Sequence, residues 1–271
     1  MLDSLRDALA LYARYIAISA RGQLQYRASI ALRAVGQLLV TGVEFLGMWA
    51  LFDRFGSLGP WRLPQVAFFY GIADVTFALA DALSRGFDQV GPLIKSGELD
   101  RLLLRPRSMA LQLMGKELTL MRAGRLVQGV AVLLWASHAA SIDWSAARFA
   151  LLAAAIAGGI CLYTGLVVLQ ATSSFWTIET LEVWSSFTYG GAYASQYPMT
   201  IYRRWFRGLL FAVIPLGCVN YLPAVAILGA GDPLGSPAAL RWFAPLAGVA
   251  FLIAALQIWK LGVRRYTSTG S

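Results

Sequence analysis

Apolar residues run through this chain in long stretches that short polar segments separate. Six such stretches predict membrane-spanning helices, because a helix that crosses the hydrocarbon core needs roughly 20 mostly apolar residues. Their approximate bounds are residues 29–52, 65–84, 118–137, 148–174, 208–228 and 242–262. The pattern therefore predicts an all-α integral membrane protein with about six transmembrane helices, built as a single domain over residues 1–271.

The segments outside the spans are more polar. From Leu2 to Ile16, apolar residues recur three or four positions apart and charged residues take the other faces, which is the pattern of an amphipathic helix. Because a span follows directly, residues 1–28 are expected to form a helix at the membrane interface rather than one packed on a soluble core. Residues 175–207 mix aromatic and charged side chains and predict further interfacial helices, and residues 263–271 are expected to form a cytoplasmic tail.

Composition supports lipid as the main solvent of the chain. Of its 271 residues, 58% are hydrophobic and 14% are charged, which is far more apolar than a soluble domain needs. The net charge of +9 could indicate nucleic acid, but 9 Trp, 11 Tyr and such long apolar stretches are typical of a membrane protein. No nucleic-acid partner is therefore expected.

Basic residues predict the orientation. In the six-span arrangement, 19 of the 23 basic residues fall on or near one side. The four on the other side are Arg54, Arg62, Arg148 and Arg241. The richer side is expected to be cytoplasmic. Both termini then lie in the cytoplasm, as an even number of crossings also requires.

Motifs for catalysis or cofactor binding are missing from the sequence. The segment nearest to a phosphate-binding loop, Gly124 to Gly129, lacks the lysine and hydroxyl residue that hold phosphate and magnesium. His138 is the single histidine, and no cysteine or carboxylate stands at ligand spacing from it. We therefore expect no catalytic, cofactor-binding or metal-binding residues, and we expect that the chain is not itself an enzyme.

Three carboxylates, Glu44, Asp74 and Asp81, interrupt the predicted spans. A charge near the bilayer centre costs roughly 3 kcal/mol, so each needs a partner or water. Asp74 and Asp81 are seven residues apart, which places both on nearly one helix face. They could line a polar or proton path, but structural pairing, for example with Arg122 or Arg125, is the favoured interpretation.

The most informative loop is residues 91–108, where apolar and charged residues alternate. Leu99, Leu102 and Leu103 would form the apolar stripe of a short helix, and the neighbouring charges would orient a docked protein. A polybasic segment held against anionic lipid is the alternative, and both interpretations can hold together.

Within this loop, Gly97 to Pro106 reads GELDRLLLRP and resembles a segment of the ABC-2 type permeases. Residues 173–184, 194–205 and 264–271 are similar to the same family. The resemblance implies six spans with cytoplasmic ends, an amphipathic helix before the first span and a coupling helix near residues 91–107. The ATPase-coupling residues that it implies are Gly97, Glu98, Leu99, Asp100, Arg101, Leu103, Arg105 and Pro106.

The resemblance also implies a function. The chain would be the permease subunit of an ATP-binding cassette exporter in the prokaryotic inner membrane. Its partners would be a second permease, identical or homologous, and two copies of a separate subunit that binds ATP and Mg. The residues leave one alternative open, which is a stand-alone secondary transporter or channel with Glu44, Asp74 and Asp81 as carriers of protons or cations.

Overall fold

A computed structural model describes residues 12, 14–15, 17–19, 21–23, 25–105, 108–116, 123–177 and 181–266. Most of the predicted N-terminal helix, Pro106, Arg122 and the end of the tail lie outside these described residues. Within them the ordered elements are helices, and no β-strand occurs. The all-α prediction is therefore confirmed for the described part of the chain.

The helices are numbered here in chain order. They are α1 (Arg27–Phe55), α2 (Leu63–Ser84), α3 (Val90–Lys95), α4 (Glu98–Leu103), α5 (Met109–Lys116), α6 (Ala123–Ala139), α7 (Ala146–Ser173), α8 (Leu181–Ser195), α9 (Arg204–Ala212), α10 (Leu222–Leu228), α11 (Ala238–Phe243) and α12 (Leu246–Arg265). Short 3-10 helices cover Arg85–Gln89 and Met199–Ile201, and a π-helical turn, Gly217–Tyr221, leads into α10.

Four continuous helical segments are long and apolar enough to cross a membrane. They are α1, α2 with its continuation to Lys95, α7 and α12. They confirm the first, second, fourth and sixth predicted spans, so the molecule is a multi-pass membrane protein. The third predicted span corresponds to α6, whose 17 described residues are shorter than the roughly 20 that a crossing needs. The described helices therefore do not confirm the predicted count of six.

The fifth predicted span, residues 208–228, is not one straight helix. Helix α9 and the segment Gly217–Leu228 meet at a bend of 80°. Pro215 lies in the break between Ala212 and Gly217, and it favours the break because it supplies no backbone N–H for a continuous helix.

Contacts show where the two ends of this bent pair lie. Just before α9, Trp61 Nε1 donates a hydrogen bond of 2.9 Å to Thr200 Oγ1, at the start of α2. Just after α10, Gly229 lies against the guanidinium of Arg148, at the start of α7. Helices α2 and α7 begin at the same end of the molecule, because the rings of Phe68 and Trp144 are 6.5 Å apart. The pair therefore enters and leaves at one end, and the predicted crossing at 208–228 is not confirmed.

Helix α8 lies along α2 instead. Its residues Ser185 and Thr188 line a cavity with Arg85, at the far end of α2, whereas Thr200 reaches Trp61 at the near end. The stretch from 185 to 200 thus extends over the length of α2. The sequence prediction placed only interfacial helices in this region. It missed α8 because Ser185, Ser186, Thr188 and two glycines lower the apolarity of that helix.

Helix α2 is the centre of the larger hydrophobic core. Its residues Phe68, Phe69 and Phe77 are fully buried, and Phe69 stacks on Tyr221 of the π-helical turn at 5.7 Å. A second core joins the segment after α2 to the ends of α7 and α12. Its best-buried aromatic contact is Phe87 against Trp259, with ring centroids 5.5 Å apart. These two cores position the two regions described next.

Candidate coupling surface and buried polar network

The predicted coupling segment folds as two short helices, α3 and α4, rather than as one helix over 91–107. Gly97 connects them with φ of 70°, in the left-handed region that glycine adopts without strain. Glu98 and Asp100 lie in the first turn of α4, where negative charge complements the helix dipole. We call residues 90–105 the coupling segment.

One face of the coupling segment is anchored on the membrane helices. Leu93, Ile94 and Leu99 are buried, and Leu99 is completely inaccessible. They belong to the same core as Val168 of α7 and Trp259 of α12. Burial of a leucine side chain contributes about 1.5–3 kcal/mol, so this face holds the segment firmly against the ends of the long helices.

The opposite face of the coupling segment is open. Glu98, Arg101 and Arg105 are exposed there, together with Leu103 and Leu104, the latter 85% exposed. The predicted stripe of Leu99, Leu102 and Leu103 is therefore split, because Leu99 points inward and Leu103 outward. Exposed leucines among charges of both signs are typical of a protein docking surface. Pro106 lies outside the described residues.

Asp100 does not belong to this open face. It is half-buried and faces Tyr266, which directly follows α12. Burial and the negative charge of Asp100 both raise the pKa of the Tyr266 hydroxyl. Tyr266 also packs on Phe175, with ring centroids 5.9 Å apart. Asp100 therefore links the coupling segment to the end of the last helix.

The described part of the N-terminal region reaches the same end of the molecule. Tyr12 donates a hydrogen bond of 3.2 Å to the carbonyl oxygen of Leu83, near the end of α2. Tyr15 lines a hollow of about 350 Å³ with Glu98, Arg101 and other residues of the coupling segment. These residues are in contact with the protein, whereas the interfacial position predicted for residues 1–28 as a whole stays a prediction.

An ion pair lies deep inside the helix assembly. Asp74 of α2 is fully buried, and its Oδ1 accepts hydrogen bonds from Arg125 Nη2 at 2.7 Å and Arg125 Nε at 3.2 Å. Gln196 Nε2 donates to the same oxygen at 3.1 Å. The favoured structural pairing of Asp74 is thus confirmed with Arg125 as partner, while Arg122 lies outside the described residues.

Further polar groups extend this network towards α1. The guanidinium carbon of Arg125 lies 4.6 Å from the ring centroid of Phe77, a cation–π contact. On the next turn of α6, Gln128 Nε2 donates to the carbonyl oxygen of Thr41 and to the hydroxyl of Tyr70, and its amide oxygen accepts from the hydroxyl of Thr41. The network therefore joins α1, α2 and α6, and most of its polar groups have partners, while Asp74 Oδ2 is buried without a hydrogen-bond partner among the described residues.

The other two predicted intramembrane acids have different surroundings. Asp81 is buried near the end of α2 and lies 3.6 Å from the guanidinium of Arg85, which also pairs with Asp88 at 3.0 Å. Glu44 of α1 is half-buried and accepts a hydrogen bond of 3.2 Å from the hydroxyl of Tyr193. The three acids therefore do not form one site.

Sequence reasoning missed Gln128, Gln196 and Tyr193 as members of this network. A signal for Gln128 exists, because an amide inside an apolar stretch needs hydrogen-bond partners as much as a carboxylate does. Asn220 of the π-helical turn is also buried, and its Nδ2 donates to the carbonyl oxygens of Phe69 and Ser195. Within the described residues, no group of His, Cys, Asp or Glu is placed to hold a metal ion.

A cavity of about 320 Å³ lies between the ion pair and the coupling segment. Its wall combines aromatic residues with charged ones and is shared by α2, α7 and α8, with Phe77, Asp81, Arg85 and Tyr163 among its members. This volume is within the range of small-molecule sites. Phe77 belongs to both the cavity wall and the cation–π contact, so the cavity and the buried network are adjacent.

Long apolar helices around a buried ion pair, with a solvent-facing segment anchored on their ends, define a polytopic membrane protein. The sequence matches the family described as ABC-2 family transporter protein over residues 38–270, which is most of the chain. The chain therefore belongs to the ABC-2 family and is a membrane component of an ABC transporter. Comparisons with curated proteins and with solved structures gave no match.

Proposed function

We propose that this chain is the permease subunit of an ATP-driven exporter and that it receives the power stroke through its coupling segment. The observation that carries the proposal is the two-sided build of that segment. One face presents Arg101, Leu103 and Leu104 to a partner, while the other face buries Leu99 against the ends of α7 and α12. A force that the partner applies to the open face is thereby transmitted through Leu99 to α7 and α12.

The proposed topology has six crossings, with α8 in place of the bent pair. The crossings are α1, α2, α6, α7, α8 and α12. The bent pair α9 and α10 is then a re-entrant element on the outer side, and Arg203, Arg204 and Arg207 move to that side with it. Seven of the 23 basic residues are then outside and 16 are inside or near the inner side, so the excess still favours cytoplasmic termini.

In the proposed mechanism the ATPase partner docks on the coupling segment from the cytoplasm. Binding of ATP and Mg takes place in that partner, two copies of which would serve two permease chains. Closure of the partner moves Leu99 and Phe87, which shift α7 and α12 through Val168 and Trp259. Packed helices respond to such a push by switching between two discrete arrangements rather than by bending continuously.

The wider setting is part of the same proposal. The chain would lie in a prokaryotic inner membrane and expel its cargo outward, and the cavity beside Phe77 would be the cytoplasmic entrance of the path. The alternative function is an ion-coupled transporter or channel, in which Asp74 would carry protons or cations. It is less favoured, because Asp74 is paired with Arg125 and accepts a hydrogen bond from Gln196. Arg125 gives the buried Asp74 carboxylate a counterion, which favours the structural role.

The experiment is co-purification of the tagged chain from its native membrane, with an ATPase assay of the eluate. Leu104→Glu places a charge on the open face of the coupling segment and should abolish co-elution of an ATP-binding subunit. Leu240→Glu is the matched control, since Leu240 is an exposed leucine of α11 at the other end of the molecule. Wild-type chain and Leu240→Glu should both retain the ATPase. Equal retention by Leu104→Glu would remove the coupling surface from the proposal.

A further inference from the structure

A groove runs along the outside of α12 at the coupling end of the molecule. Its volume is about 560 Å³, and its wall is formed by the second half of α12 and the first turn of α5. The wall residues from α12 are Ile253, Leu256, Gln257, Trp259, Lys260, Val263 and Arg264. Those from the start of α5 are Ser108, Met109 and Ala110.

The groove changes character along its length. Ile253 and Leu256 make one end of it apolar, while Lys260 and Arg264 lie at the other end with exposed side chains. Residues 253, 257, 260 and 264 are three or four positions apart and so share one face of α12. A ligand on this face would meet positive charge at one end and apolar surface at the other.

The length of this face matches one leaflet of a bilayer. Ile253 and Arg264 are eleven residues apart, which is roughly 16 Å along an α-helix. Half of a hydrocarbon core of about 30 Å is nearly the same distance. The basic end of the groove, at Lys260 and Arg264, thus lies at headgroup level when its apolar end faces the acyl chains.

We propose that this groove binds one anionic phospholipid from the leaflet at the coupling end. The phosphate lies between Lys260 and Arg264, and one acyl chain extends along Leu256 to Ile253. The start of α5 adds to the attraction, because the first turn of a helix favours a nearby anion. Basic pockets between membrane helices are suited to anionic headgroups. The bound lipid bridges α5, which follows the coupling segment, to the last helix.

The test is native mass spectrometry of the full-length protein, with any subunit that co-purifies, titrated with palmitoyl-oleoyl phosphatidylglycerol or the matching phosphatidylcholine. Wild type should retain phosphatidylglycerol in preference. Lys260→Ala with Arg264→Ala should weaken that binding roughly 30-fold, the equivalent of about 1 kcal/mol for each basic residue. The control, Lys95→Ala with Arg265→Ala, removes the same charges from exposed positions outside the groove and should bind as wild type does.

Further outcomes decide the proposal. Ala110→Trp, which fills the groove without changing charge, should also lower phosphatidylglycerol binding. Equal retention of the two lipids by wild type, or an equal loss in the Lys95 and Arg265 control, would overturn it. Added glycerol 3-phosphate should not raise the melting temperature as phosphatidylglycerol does. A rise with glycerol 3-phosphate alone would identify an anion site and not a lipid site, which also overturns the proposal.

Discussion

Helices α1 and α2 are consecutive, similarly apolar and long enough to cross a membrane, yet they occupy opposite places in the molecule. In the most apolar window of each, 17% of the α1 residues are buried against 83% for α2 and its continuation. Helix α2 is wrapped by α6, α7 and α8, whereas α1 rests mainly on α6. Equal hydropathy therefore shows that both helices leave water, but it does not show which of them enters protein and which enters lipid.

The polar residues of the two helices follow the same division. Asp74 of α2 is completely buried and held by Arg125 and Gln196, while Glu44 of α1 is half-exposed and has only Tyr193 as hydrogen-bond partner among the described residues. Val43, next to Glu44, is 68% exposed. A half-exposed carboxylate in a span needs a polar neighbour. Arg125 is such a neighbour, since it interacts electrostatically with Glu44 as well as with Asp74.

The largest effect is expected from Asp74→Asn in α2. Removal of this charge leaves the Arg125 guanidinium buried without its counterion, which should lower the free energy of unfolding by about 3–5 kcal/mol. Asp53→Asn is the matched control, because Asp53 is exposed near the end of α1. Thermal unfolding in detergent measures both. The double variant Asp74→Leu with Arg125→Met should recover part of the loss, and its failure to recover any would show that the pair matters beyond its charge balance.

An intermediate effect is expected from matched glycine substitutions. In Gly71→Ala the added methyl group of α2 would lie 2.8 Å from Leu133 Cα, so α2 and α6 must separate. Such overpacking should lower the free energy of unfolding by about 1–3 kcal/mol. In Gly42→Ala the methyl group of α1 meets no atom within 4 Å, and alanine should stabilise the helix by up to about 1 kcal/mol.

Melting temperatures of the two alanine variants, together with transport assays, test the difference in packing between α1 and α2. A loss of transport in Gly42→Ala without a loss of stability would show that this face of α1 contacts a second chain. Equal destabilisation by the two substitutions would contradict the described difference in packing.

The smallest effect on stability is expected from Glu44→Gln. Its hydrogen bond to Tyr193 lies in a half-exposed position, and interactions of exposed charges contribute about 0–1 kcal/mol. Thermal unfolding should therefore shift little, and Tyr193→Phe should behave alike. If Glu44→Gln destabilised the protein as much as Asp74→Asn does, the two acids would be equivalent and the contrast between α1 and α2 would fail.

The sequence predicted a substantial part of this architecture. Four spans, the family and the pairing of Asp74 with an arginine of α6 could all be predicted from the sequence. In a membrane a continuous apolar run must form a helix, and an isolated charge must find a partner. For residues 181–228 the predicted organisation is not confirmed. The apolar run at 208–228 bends back, and the less apolar α8 lies along α2, because a helix that faces protein tolerates serine, threonine and glycine while one that faces lipid does not.

The coupling segment shows the same limit on a smaller scale. Its charges and leucines identified it as a docking surface, but the pattern did not indicate that Leu99 faces inward while Leu103 and Leu104 face outward. The orientation of these leucines depends on the turn at Gly97, which changes the direction of the chain between α3 and α4. As a result Leu99 is buried in the core that includes Trp259.

By itself, the sequence determined that the chain leaves water, where four long apolar helices lie and which residues are too costly to leave alone in lipid. Only the tertiary structure decided which helix is central, where α8 lies, how the bent pair returns and which groups satisfy Asp74. The physical reason is that hydropathy measures transfer out of water, which each segment undergoes separately. The choice between protein and lipid neighbours depends on packing among all the helices at once.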